Sequence, residues 1–199
     1  MNSKKQAELE LKKGDALIIV DMQKDFLPGG SLAVPAGDQV ISTLNRYIQL
    51  ATSNNLPVFV TRDWHPINHS SFLEQGGPWP QHCVAGTEGA EFAECLNLPQ
   101  DLEVISKAVS INKDAYSGFQ DTDLDKKLCT IKVDRLLIGG LATDYCVLNT
   151  VKDAFKLDYA VLLLEDAIRA VNVNPGDDER AKKEMIDLGA MSINLKMVT

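Results

Sequence analysis

Asp21 stands directly after the apolar run 16–20 in the phrase ALIIVDMQKDF, where a carboxylate can serve as a general base at the floor of a cleft. An Asp that merely caps the loop after a strand fits the same position, and Asp25 in the polar stretch beyond competes for the role. The phrase TRDWHPINHSSF sets Asp63 and His65 two residues apart, and PWPQHC adds His82 after a Gly- and Pro-rich loop. All three histidines of the chain, His65, His69 and His82, fall in this one segment. Imidazole with carboxylate suits zinc, iron or manganese, and three such ligands leave coordination positions for water or substrate. Residues i and i+2 of an extended chain point to opposite sides, so Asp63 and His65 converge only where the loop turns, as Pro66 permits. Surface histidines in a wet loop are the plain alternative. His69 and Glu74 are further candidates, as ligands or as hydrogen-bond partners behind them.

Cys146 follows the apolar run 136–138 and the turn Gly139-Gly140-Leu141-Ala142-Thr143. With Thr143 as N-cap, Cys146 falls in the first helical turn, where free backbone N–H groups favour a thiolate and can hold a developing oxyanion. The other cysteines are read differently: Cys95 and Cys129 as small buried hydrophobes, Cys83 as open because it adjoins a candidate ligand. Lys107 ends a predicted strand and can fix the Asp21 carboxylate, and Lys113 lies six residues on. Phe26, Trp79, Tyr116 and Phe119 can wall an aromatic pocket, and core packing accounts for each equally well.

Short β-branched runs at 16–20, 57–61, 102–106, 135–138, 159–164 and 191–195 must carry these residues. They alternate with helix-like stretches, 40–51, 144–157 and 175–188 among them, in the last of which Pro175-Gly176 fits the start and Gly189 the stop. Six strands alternating with helices predict an α/β fold with a mainly parallel, Rossmann-like sheet in a three-layer α/β/α arrangement. Two long irregular stretches, 22–37 and 63–89, both leave the carboxyl end of a strand, the edge where open α/β sheets bind ligands. Nothing divides the chain, so one domain over 14–199 is expected behind an N-terminal extension, 1–13, either frayed or helical.

Of 199 residues 45% are hydrophobic and 24% charged, enough for one sizeable core and unlike a disordered or disulfide-stapled chain. Acids outnumber Lys and Arg 28 to 20, a net charge of −8 that argues against nucleic-acid or anionic-membrane surfaces. The apolar runs are far too short to span a bilayer, and residues 1–13 lack the apolar stretch of a secretory signal, so a cytoplasmic protein is expected.

Taken together, DMQKDF, TRDWHP with PWPQHC, the KAVSINKDAYSGF stretch and GGLATDYCV occur in an order that resembles the nicotinamidase and pyrazinamidase branch of the isochorismatase-like hydrolases. The resemblance runs from about Asp15 to the last strand. It implies a cysteine amidase that turns nicotinamide into nicotinic acid and ammonia through a thioester, takes pyrazinamide as well, and serves NAD salvage. By the same resemblance the triad is Asp21, Lys107 and Cys146, and the metal ligands are Asp63, His65 and His82 around one divalent ion, zinc first, with iron or manganese as alternatives. It places the oxyanion hole at the amides of Ala142 and Cys146, with a cis peptide at Leu141–Ala142, and pocket positions at Phe26, Trp79 and Tyr116. The small molecule nicotinamide is the partner it implies. A homo-oligomer is left open, as is the choice of His69 or Glu74 beside the metal. Two alternatives stand: another amidase of this fold acting on N-carbamoyl or ureido compounds, and a noncatalytic metal-binding or thiol redox protein.

Overall fold

The computed structural model describes residues 9–198. Six strands, β1 (Asp15–Val20), β2 (Val58–Asp63), β3 (Glu103–Lys107), β4 (Arg135–Leu141), β5 (Ala160–Arg169) and β6 (Met191–Ile193), form one sheet in the order β3-β2-β1-β4-β5-β6, with every neighbouring pair parallel. The expected α/β class with a six-stranded parallel sheet is what the chain adopts. The chain winds outward from β1 to β3, crosses back to β4 and winds the other way, so the topological switch lies between β1 and β4. At such a point the connections diverge and leave a crevice at the carboxyl ends.

The helices α1 (Ile41–Ser53), α2 (Leu124–Thr130), α3 (Leu148–Lys156) and α4 (Asp177–Asp187) cover the two faces. The strands β1 and β4 are buried along almost their whole length, and their alternate residues feed two separate cores. Leu17, Ile19 and Leu137 pack with Leu44, Tyr47 and Ile48 of α1; Ala16, Ile18, Leu136 and Ile138 pack with Leu124 and Leu128 of α2 and Val151 and Ala154 of α3. Burying both faces explains why these strands read as continuous apolar runs rather than alternating ones.

Several elements depart from expectation. Helix α2, which carries only two buried residues in seven, Leu124 and Leu128, escaped the periodicity. Strand β5 continues five residues past its apolar run to Arg169, with a register shift opposite Ile138 and Gly140. The helix after β4 does not start with a Thr143 cap: Ala142 occupies that place, Thr143–Val147 forms a π-helical turn, and only then does α3 begin. Of the predicted extension, residues 1–8 lie outside the described residues, while Leu9 bridges to Val198 and Leu11 is buried. No described helix is long and apolar enough to cross a membrane.

Candidate active site

Asp21, Asp63, Lys107 and Cys146 stand at or just beyond the carboxyl ends of β1, β2, β3 and β4. Asp21 directly follows β1 and takes a left-handed backbone, φ +46°, which ends the strand and turns the chain out of the sheet. Asp63 and Lys107 are the last residues of β2 and β3 and face each other in register. Cys146 lies in the π-helical turn after β4, which is reached through Gly140 at φ +120° and the cis peptide Leu141–Ala142. Only glycine fits position 140, because a Cβ there would stand 2.1 Å from the carbonyl oxygen of Val20.

Lys107 is the hub. Its Nζ lies 2.9 Å from Asp21 Oδ2, bonds Asp63 Oδ1, donates to the Ala115 carbonyl at 3.2 Å and reaches Cys146 Sγ at 3.4 Å. Asp21 Oδ1 accepts from the Thr61 hydroxyl at 2.6 Å. Asp21 Oδ2, although ion-paired, has no hydrogen-bond donor at acceptable angle and is left able to accept a proton. Burial pulls the lysine down, but the carboxylates of Asp21 and Asp63 outweigh it and hold Lys107 well above its ordinary value. Burial raises Asp21, against the pull of Lys107 and with the help of Asp63. Burial likewise pushes the Cys146 thiol well up, with Lys107 opposing it. The first-turn setting expected to favour a thiolate is a π-helical turn in which the sulfur is desolvated beside two carboxylates and one ammonium, and burial there favours the neutral thiol that Asp21 is placed to deprotonate.

Asp63, His65 and His82 each offer a ligand atom within 4.8 Å of the others. The Nδ1 of His65 lies 3.1 Å from the His82 carbonyl and the Nδ1 of His82 lies 2.8 Å from the Pro80 carbonyl. A carbonyl only accepts, so Nδ1 of each ring carries a proton and Nε2 is the nitrogen left to face a metal. Burial, aided by the neighbouring imidazoles, pulls His65 down to about 3, so it is neutral at any working pH. Two imidazoles and a carboxylate fit a divalent ion with open positions. His69, Asp114 and His65 make a second trio by distance, but His69 uses both nitrogens within the protein, Nε2 toward the Lys113 carbonyl and Nδ1 toward Ser71. Glu74 sits on the exposed turn Leu73–Gln75, outside either trio.

Above Cys146 and the imidazoles lies a cavity walled by Phe26, Trp79 and Tyr116, as expected, and by Tyr145 and Val171, which the sequence reading passed over. Trp79 Nε1 donates to Tyr116 Oη at 2.8 Å, and Tyr145 meets Trp79 edge-on with ring centroids 5.1 Å apart. Val171 is held by its N–H on the Asp144 carboxylate. Tyr145 could have been found from its place beside Cys146; Val171 has no local signal. Lys113 pairs with Asp121 at the surface and is not the lysine of the site. Cys95 and Cys129 are exposed, against the expectation that they are buried, because Cys129 takes the solvent side of α2 and Cys95 lies in a surface turn; Cys83 is fully buried. A larger concavity of about 870 Å³ lies at the other end of the sheet, among Lys13, Asp101, Glu103 and Lys127, but is lined by no cysteine or histidine.

Residues 15–196 match the isochorismatase domain. The chain is 40% identical over 196 residues to the nicotinamidase of Escherichia coli, which covers 88% of this chain and 92% of that protein. Its fold superposes with a TM-score of 0.88 on the pyrazinamidase of Pyrococcus horikoshii in complex with zinc, 49% identical, covering 92% of this chain and 99% of that one. The same score relates it to PnC1 of L. infantum in complex with nicotinate, 36% identical, with 96% and 98% covered.

Proposed function

This chain belongs to the isochorismatase family, and on that premise we propose that it hydrolyses nicotinamide to nicotinic acid and ammonia, with pyrazinamide as a second substrate. The observation that carries the reading is the contact of Lys107 with Asp21, Asp63 and Cys146 at once, directly beneath an aromatic cavity. Asp21 Oδ2 takes the thiol proton of Cys146, and its raised affinity for protons makes it a stronger base than an exposed Asp. Lys107 holds both carboxylates in place and offsets the negative charge that forms on sulfur. The sulfur adds to the carboxamide carbon, and the oxyanion falls to the N–H groups of Ala142 and Cys146. The C–N bond breaks as Asp21 returns its proton to the leaving nitrogen, which departs as ammonia and leaves a thioester on Cys146. Asp21 then takes a proton from water as it attacks the acyl carbon. The second tetrahedral adduct collapses to nicotinic acid, and the thiol is restored.

Asp63, His65 and His82 would hold one divalent ion, with zinc as our assignment, and the ion supplies a Lewis-acid anchor that orients the substrate. Phe26, Trp79, Tyr116 and Tyr145 bind the flat heteroaromatic ring in the rest of the cavity, so the amide carbon is presented to Cys146 without a search. The imidazole pair favours this reading over an N-carbamoyl or ureido amidase, and the paired lysine and carboxylates favour it over a redox thiol. A cytoplasmic role in pyridine-nucleotide salvage goes with it.

The test is ammonia release from nicotinamide by the purified, zinc-loaded protein beside Cys146→Ala. We expect turnover in the parent and at least about a thousandfold loss in the variant, since a residue that forms the covalent bond has no substitute. Turnover retained by Cys146→Ala would sink the thioester mechanism, and a loaded parent inert toward nicotinamide and pyrazinamide would sink the substrate.

A further inference from the structure

Where β1 ends, its backbone stops serving β2. The ladder bond from the N–H of Asp21 to the Thr61 carbonyl is the last of its kind, at 3.2 Å. The next two bonds would join Asp63 to the backbone of residues 21 and 23, but Asp21 has turned away and its carbonyl accepts instead from the N–H of Gln23 at 2.8 Å. The Gln23 side chain fills the gap. Its Oε1 accepts the Asp63 N–H at 2.8 Å, its Nε2 donates to the Asp63 carbonyl at 2.8 Å and to the Ala90 carbonyl at 3.0 Å, and the residue is fully buried. A primary amide thus prolongs the sheet by one residue pair, at the residue whose carboxylate faces both Lys107 and the imidazoles.

Asp25, two residues on, does the same for the other limb of the site. Its Oδ2 accepts the N–H of Cys83 at 2.7 Å and its Oδ1 that of Ser31 at 3.3 Å. Cys83 holds a left-handed backbone, φ +45°, immediately after His82, and its carbonyl receives the N–H of His65 at 3.0 Å. The carboxylate lies so close to Gly89 that a Cβ there would be 2.2 Å from it. Between them, Gln23 and Asp25 grip the backbone at residues 63 and 83, on the two segments that bring Asp63 and His82 to the site.

We propose that Gln23 and Asp25 are positioning residues that preset the distance between Asp63 and His82, so that metal affinity depends on two side chains that touch no metal. The inference rests on the reading of Asp63, His65 and His82 as the metal ligands. Partners of this kind typically govern about ten- to a hundredfold in affinity.

The experiment measures zinc dissociation constants of the metal-stripped full chain by competition with a chromophoric chelator, with the unfolding midpoint of each apo-protein recorded alongside. Gln23→Met, which keeps the length and loses all three hydrogen bonds, should weaken zinc by about ten- to a hundredfold. Asp25→Ala should weaken it by about tenfold, while Asp25→Asn, which retains an acceptor for the Cys83 N–H, stays within about threefold of the parent. Tyr47→Phe removes a half-buried hydrogen bond to Asp166 on β5, and should lower the midpoint without changing zinc affinity. Should Gln23→Met fail to fold, Gln23→Glu keeps the acceptor for the Asp63 N–H and should still weaken zinc by several-fold. A parent that binds zinc while the Gln23 and Asp25 variants stay within twofold of it overturns this inference alone. A parent that binds no zinc overturns the metal reading with it.

Discussion

Lys107 is an ammonium without measurable exposure, and the only opposite charges it touches at rest are the two carboxylates, beside one hydrogen bond to the Ala115 carbonyl. Replacing it by Met removes the cation and leaves Asp21 and Asp63 facing each other in a dry site, where one must take up a proton. Breaking a buried pair from one side costs about 3–5 kcal/mol, so Lys107→Met should unfold at clearly lower urea and release almost no ammonia. A variant with parental stability would mean that the lysine is neutral at rest. Thiol labelling separates the cysteines by environment rather than by type. Iodoacetamide on the native protein should modify exposed Cys95 and Cys129, while buried Cys83 reacts only after unfolding, as mass spectrometry of the peptides would show. These environments were not legible in the sequence. Asp21, Lys107 and Cys146 announce themselves by standing just beyond apolar runs, but Gln23 and Asp25 act through backbone groups forty or more positions away, and no local pattern encodes that reach.

At the scale of elements, the tight passage from β4 into the turn of Cys146 depends on one missing side chain. An alanine at position 140 would have to hold φ near +120° with its methyl against the Val20 backbone, so neither torsion nor space accommodates it. The torsion alone costs about 1–3 kcal/mol, and relieving the clash must part β1 from β4, the two strands that deliver Asp21 and Cys146. Gly140→Ala should therefore lose activity out of proportion to its lost stability, a difference that kinetics and chemical unfolding on the same sample would reveal. All six strands could be read from the sequence, the inner four because burial on both faces makes each a dense apolar run, the half-exposed edge strands β3 and β6 from shorter apolar stretches. Their ends could not, as with β5, whose last residues, Glu165–Arg169, are held by pairing to β4 rather than by their own character. The same holds for the π-helical turn: periodicity registers that one face of 144–157 is apolar, but does not distinguish a bond to the fourth residue from one to the fifth.

At the scale of the whole molecule, the long stretch 64–87 makes no helix or strand beyond the three-residue turn Leu73–Gln75, yet it carries all of the imidazoles and the Trp79 wall. It is held partly by its own contacts, His65 against Phe72 and His82 and the bridge of His65 to Val84, and partly by Asp25, Tyr116 and Tyr145 from elsewhere in the chain. An ion bound by Asp63, His65 and His82 would close this stretch onto the end of β2 and thereby stabilise only the folded chain. At free zinc a hundredfold above its dissociation constant the gain is about 2.7 kcal/mol, which for a domain of this size is a rise of about 5–10 °C in Tm. Stripping the ion should reverse that rise, and His82→Ala should abolish it while also lowering the Tm of the apo-protein, because the buried His82 ring packs against Phe26, His65 and Phe72 besides its hydrogen bond to the Pro80 carbonyl. Differential scanning calorimetry across a zinc titration decides the matter. A Tm indifferent to zinc would mean that the three donors are held together by their own packing and gain nothing from an ion, and the ring of the substrate would then have to be oriented by Phe26, Trp79, Tyr116 and Tyr145 alone.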